Sequence, residues 1–153
     1  MNIEEYLLLF KIKISKEAYL DFEKKRMSNN SCISGIQWAN LINEQNFSCF
    51  YCNTNIETIQ ELIYTGLINP RKRGVHGYSG FHFELDHKNA NKIDNDVNNL
   101  VASCYFCNND KSNTFSSEIF KNYFGKFKGK SFQELFDASK LKHLGTYRHQ
   151  YSK

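Results

Sequence analysis

The chain has 153 residues, of which 41% are hydrophobic, 15% aromatic and 24% charged, enough apolar material for one packed domain and unlike a disordered chain. Twenty Lys and Arg against 16 Asp and Glu give a formal net charge of +4, a mildly basic balance that admits an anionic partner without demanding one. The opening MNIEEYLLLFKIKI has acids before its apolar patch and Lys11 and Lys13 within it, so it lacks the basic start of a signal peptide and the length of a membrane span. A cytoplasmic protein with no membrane partner is expected.

Residues 15–27 (SKEAYLDFEKKRM) and 34–46 (SGIQWANLINEQN) carry apolar side chains at helical spacing, with Ser15 and Ser34 as N-caps. Ile36, Trp38, Leu41 and Ile42 read as core. Residues 57–65 predict a short helix stopped by Gly66, and the following NPRKRGVHGYSG, rich in glycine and positive charge, reads as a loop. FHFELDH alternates apolar Phe81, Phe83 and Leu85 with His82 and Glu84, the period of a half-buried strand. KNANKIDNDVN then reads as a polar turn and NLVAS as a returning strand, together a β-hairpin with a long tip. A helix is expected from Asn108 onward with Asn or Asp as its cap. Another is expected over 116–124, then a break at GKFKGK, then a last amphipathic stretch FQELFDASKLKHL before the basic terminus.

Five cysteines punctuate this order, with Cys49 and Cys52 forming one CxxC, Cys104 and Cys107 a second, and Cys32 standing alone. In a reducing compartment such pairs are metal ligands or thiols rather than disulfides. Two CxxC knuckles suit a tetrahedral zinc at about 2.3 Å per sulfur, whereas a thioredoxin-type redox pair needs a βαβ setting that this order lacks. The competing reading is four buried or redox-active thiols. Cys32 reads as an ordinary buried cysteine.

CxxC, a strand ending Asp86-His87, a loop, Asn99-Leu100 on a second strand, CxxC, Asn108 and Lys111 form an ordered constellation. That order resembles the HNH nucleases of the ββα-metal superfamily, in the variant whose third motif residue is asparagine. RKRGVHGYSGFHFELDH with VASCYFCNNDKSN is most similar to small phage and bacterial HNH proteins, some of them restriction enzymes. The resemblance spans residues 47–124, about half the chain.

The resemblance implies a ββα-metal core braced by a four-cysteine zinc site; helical spacing, outside the span of the resemblance, adds flanking N- and C-terminal helices, for an α+β chain. Residues 1–46 would form a helical N-terminal layer, 47–124 the core, and 125–153 a helical and basic extension, all within one domain. It implies a metal-dependent DNA endonuclease that leaves 5′-phosphate and 3′-hydroxyl ends. His87 would be the general base, since a neutral imidazole accepts a proton near pH 7. Asp86 and Asn108 would offer hard oxygen ligands to Mg²⁺ or Mn²⁺. Asn99 would tie the hairpin loop, with the adjacent Asn98 as the alternative. Structural zinc would sit on Cys49, Cys52, Cys104 and Cys107.

If Asp86 and His87 are both to serve, the strand must bend or end at that pair, because alternation would send them to opposite faces. Lys111, three residues after Asn108, and the run Arg71, Lys72, Arg73 with Tyr78 are candidate contacts to the DNA backbone. His82 is the remaining histidine most apt to join the site, and Glu84 can orient a neighbour or approach the metal. His76, His143 and His149 read as ordinary. Cutting both strands of double-stranded DNA would take a homodimer or two visits. A non-catalytic zinc-knuckle module that binds nucleic acid is the reading from another class.

Overall fold

In a computed structural model, residues 15–73 and 77–140 are described, residues 71–73 and 77–79 by their backbone alone. Among the described residues the fold is α+β, with helices and two separate two-stranded antiparallel sheets. Helices α1 (Lys16–Arg26) and α2 (Gly35–Glu44) open where the sequence predicts. Ser15 accepts a hydrogen bond from the Ala18 N–H, and Ser34 forms a reciprocal capping box with Gln37. Trp38 and Ile42 are fully buried one turn apart, while Ile36 lies off that face and is 59% exposed, contrary to its expected core position. Cys32 is half-buried rather than fully so.

Glu23, fully buried on α1, is the polar tie between these helices. Its carboxylate accepts from Arg26 Nε at 2.9 Å, Arg26 Nη2 at 2.6 Å and Trp38 Nε1 at 2.7 Å. The same Arg26 Nη2 donates to the Phe83 carbonyl at 2.9 Å, joining the helical layer to the segment that leads into the second sheet. A buried carboxylate is tolerable only because every donor around it is aimed at it.

Helix α3 (Ile56–Tyr64) is followed by Gly66 at φ 76°, as the sequence suggests, and is capped by Asn55. The segment expected to be a loop instead pairs with itself. β1 (Arg71–Arg73) and β2 (Gly77–Ser79) form a short ribbon with Lys72 opposite Tyr78. The apolar alternation that flags a strand is missing from RKR and GYS, so the sequence did not signal this pairing.

β3 (Glu84–His87) is shorter than FHFELDH implied; Phe81 and Phe83 are buried but precede the strand. It pairs with β4 (Leu100–Ser103), setting Leu85 opposite Ala102, Asp86 opposite Val101 and His87 opposite Leu100. All four β4 residues are buried, and the outer edge of β4 is also bonded. Gln45 exchanges two hydrogen bonds with the Ala102 backbone, and the Phe50 N–H donates to the Ala102 carbonyl at 3.0 Å. The first cysteine knuckle is thereby stitched to the strand that leads to the second.

Helix α4 (Tyr105–Lys111) starts three residues earlier than expected. Cys104 is its N-cap, and Asn108 sits inside it as its fourth residue. The short helix α5 (Ser117–Ile119) passes through a π-helical turn (Phe120–Gly125) directly into α6 (Lys126–Lys140). No break occurs at GKFKGK, and the boundary expected after residue 124 falls within this run. The glycines there allow contact rather than end the helix: a Cβ on Gly125 would lie 2.4 Å from the Tyr51 carbonyl oxygen, and one on Gly129 2.1 Å from that of Cys52.

Gly129→Ala tests this packing. Alanine favours a helix over glycine by about 1 kcal/mol, but a clash with a backbone oxygen at that distance costs more. The melting temperature is expected to fall by several degrees. A rise would mean that α6 does not press on the knuckle. Among the described residues no helix is long and apolar enough to cross a membrane.

Candidate functional site

The two knuckles converge. The sulfurs of Cys49, Cys52, Cys104 and Cys107 all lie within 4.8 Å of one another, and all four residues are buried. A tetrahedral zinc with bonds of about 2.3 Å sets its sulfurs about 3.8 Å apart, and Cys52 Sγ and Cys104 Sγ are separated by 3.9 Å. Backbone N–H groups point at the sulfurs as they would at thiolates. Cys104 N–H donates to Cys49 Sγ at 3.2 Å, and Cys107 N–H donates to Cys104 Sγ at 3.4 Å. The cluster can hold a metal such as zinc.

Within the cluster the sulfurs act on one another in opposite directions. Burial pushes the Cys49 thiol up, but hydrogen bonds from Cys104, Cys107 and Cys52 together outweigh it and hold Cys49 well below the usual thiol range. Burial raises Cys104, and its bonds to Cys107, Cys49 and Cys52 raise it further. Cys107 is lowered by Cys104 but raised more by Cys49, Cys52 and burial. A bound divalent ion would favour the ionised form of its sulfur ligands.

Beside the cluster, at the end of β3, lies a polar group of side chains. Asp86 is buried and its Oδ2 takes two donors, the Tyr51 hydroxyl at 2.5 Å and the Lys111 ammonium at 3.1 Å. Lys111, expected on the helix surface as a phosphate contact, is instead fully buried. Besides Asp86 it reaches the carbonyls of His87 and Ser112, each at 3.4 Å. Helix α4 packs against β3, so the face it shares with Asn108 points at the strand rather than at solvent. Tyr51 lies between the cysteines of the first knuckle and was not singled out by the sequence, which offers no signal for a contact across 35 positions. Burial, with the adjacent Asp86 carboxylate, pushes its hydroxyl far above the ordinary range, so it remains a donor.

His87 is the last residue of β3, and the chain turns at once: the Ala90 N–H donates to the His87 carbonyl. The strand therefore ends at His87, with Asp86 and His87 both still in register with β4. The half-buried imidazole has its Nε2 3.0 Å from Asn95 Oδ1. Asn108 is joined to Glu84 rather than directly to Asp86: its Nδ2 donates to Glu84 Oε2 at 2.7 Å, which leaves Oδ1 as its free-standing acceptor type. Glu84 thus orients a neighbour, one of the two roles foreseen for it.

Asn99 is buried and closes the loop between β3 and β4. Its amide donates to Asn89 Oδ1 and to the Asp94 carbonyl, both at 2.9 Å, and its Oδ1 accepts from the Asn89 N–H at 3.0 Å. The exposed Asn98 donates its N–H to Asp96 Oδ1 at 2.8 Å, and its side chain does none of this.

The side chains of Arg71, Lys72, Arg73 and Tyr78, and residues His76, His143 and His149, lie outside what is described. His82 does not join the site. It packs toward Arg26 and Glu23, with its Nδ1 3.1 Å from the Phe83 carbonyl, and burial lowers its pKa. Two cations that the sequence reading passed over lie over one ring of the first knuckle. Lys88 and Lys121 stand 5.8 Å and 3.8 Å from the Phe50 ring centre, and Phe50 belongs to the first knuckle. Comparison with known protein families, with curated proteins and with solved structures gave no match.

Proposed function

We propose that this protein is a metal-dependent DNA endonuclease of the HNH kind, built on β3, β4 and α4 as a ββα-metal unit, with zinc on the four cysteines as its brace. The observation that carries this reading is the way the helix is laid across the strand that ends in Asp86 and His87: Lys111 pairs with Asp86 and reaches the His87 carbonyl, and Asn108 donates to Glu84 of the same strand. A zinc-knuckle module that merely binds nucleic acid would account for the cysteines. It offers no reason to bury a lysine–aspartate pair beside an imidazole, since such pairs are costly to desolvate.

The donors fit a hard cation. Asp86 and Asn108 would hold Mg²⁺ or Mn²⁺ through oxygen, the preference of both ions. Once bound, the cation would neutralise charge gathering on the phosphate and assist the departing 3′ oxygen. The chain's own groups do the rest. His87 takes the proton from the attacking water at an imidazole nitrogen. Asn99 fixes the loop that carries Asn95, and Asn95 in turn contacts the imidazole. Lys111 balances the charge of Asp86. The basic β1–β2 ribbon, together with Lys88 and Lys121, supplies cations for the DNA backbone.

The test is supercoiled plasmid incubated with the full chain and Mg²⁺ or Mn²⁺, against the same mixture with EDTA. Nicked circles that need the cation are expected. Intact plasmid under every condition, with the protein folded, would leave the binding module as the better reading.

A further inference from the structure

The Tyr51–Asp86 contact assigns a task to a residue outside the motif. Resting on the nuclease reading above, we propose that Tyr51 is a positioning residue for the cation site: its hydroxyl pins Asp86 Oδ2 and so presents Oδ1 to the metal. A carboxylate turns broadly about its last torsion, and one well-placed donor is enough to select an orientation. Here two donors converge on the same oxygen, Tyr51 at 2.5 Å and Lys111 at 3.1 Å. Among the described residues none donates to Oδ1.

Tyr51 is itself held from every side. It is 2% exposed, and its ring meets Phe50 and Phe120 edge-on at 5.1 Å and 5.4 Å. Its carbonyl is overlaid by Gly125, where even a methyl group would clash. Its chain neighbour Cys52 is a member of the sulfur cluster. The rigidity of the zinc knuckle thus reaches the catalytic carboxylate through one phenol. Partners of this kind, one bond removed from a metal, typically set affinity by about 10- to 100-fold.

Tyr51→Phe removes only the oxygen and keeps the ring contacts. The full-chain variant is compared with the parent in three measurements: zinc content with thermal melting, Mn²⁺ binding followed by the electron paramagnetic resonance of free Mn²⁺, and plasmid nicking as Mn²⁺ is raised. Expected are unchanged zinc, a similar melt, Mn²⁺ binding weaker by about 10-fold or more, and a nicking midpoint moved by the same factor with the rate at saturating Mn²⁺ much less changed. Mn²⁺ binding equal to the parent's would overturn the proposal. Loss of zinc or of the cooperative melt would overturn it too, since Tyr51 would then be a structural residue. If the parent chain neither binds Mn²⁺ nor nicks plasmid, the nuclease reading falls first. If the parent does both and the variant matches it, only the role of Tyr51 falls.

Discussion

Alanine at position 87 is expected to slow plasmid nicking by about 10²- to 10⁴-fold, the usual loss when a general base is removed, while zinc content, DNA binding and melting temperature stay near those of the parent. The separation follows from what His87 touches. Its backbone pairs with Leu100 and its carbonyl accepts from Ala90 and Lys111, and none of these contacts involves the imidazole. The ring's own contact is with Asn95, at the surface. Asp86 keeps both of its donors in the variant, and Asn99 still closes the loop. A gel-shift measurement in EDTA reports DNA binding without turnover. Nicking at the parent's rate would remove His87 from the mechanism, whereas a parallel collapse of melting temperature would make it a fold residue.

How much of this was legible in the sequence depends on how local the cause is. Ser15 and Ser34 announce their helices because a cap is chemistry between residues three apart. The cysteine pairs announce the cluster because each knuckle is a local turn, although nothing local says that the two will meet. Asn99 stands directly before the apolar strand β4, and its three hydrogen bonds all stay within the loop between the strands, reaching at most ten residues along the chain.

The misreadings share a cause. Gly125 and Gly129 look like helix breakers, yet they are where α6 meets the backbone of the first knuckle, and glycine is ambiguous until the partner is known. Lys111 looks like a helix-surface lysine within reach of a phosphate until β3 is packed across it. Tyr51 becomes visible only when Asp86 arrives from the second sheet. Each depends on an element distant in sequence, which periodicity and spacing do not report.

The largest effect of all is expected at the cysteines. Cys104→Ser is the most discriminating change, because Cys104 both belongs to the sulfur cluster and caps α4. Serine is a good N-cap, so the substitution keeps the cap while removing a ligand. Any collapse then belongs to the metal. Structural zinc contributes about 10–16 kcal/mol of apparent binding energy in small domains near pH 7, whereas a whole domain is typically stable by about 5–15 kcal/mol. Here the cluster also anchors the loop carrying Tyr51, the start of α4 and, through Gly125 and Gly129, the helix α6. The parent is expected to carry about one zinc per chain. Both the serine variant and the chelated parent should lose the cooperative melt. The thiols must shed protons to bind, so zinc should also leave as pH falls, and the melt should weaken with it. Cys32→Ser, outside the cluster and half-buried, is the control and should change little. A zinc-free chain that still melts cooperatively would show that four buried thiols, without a metal, are enough to hold these elements together.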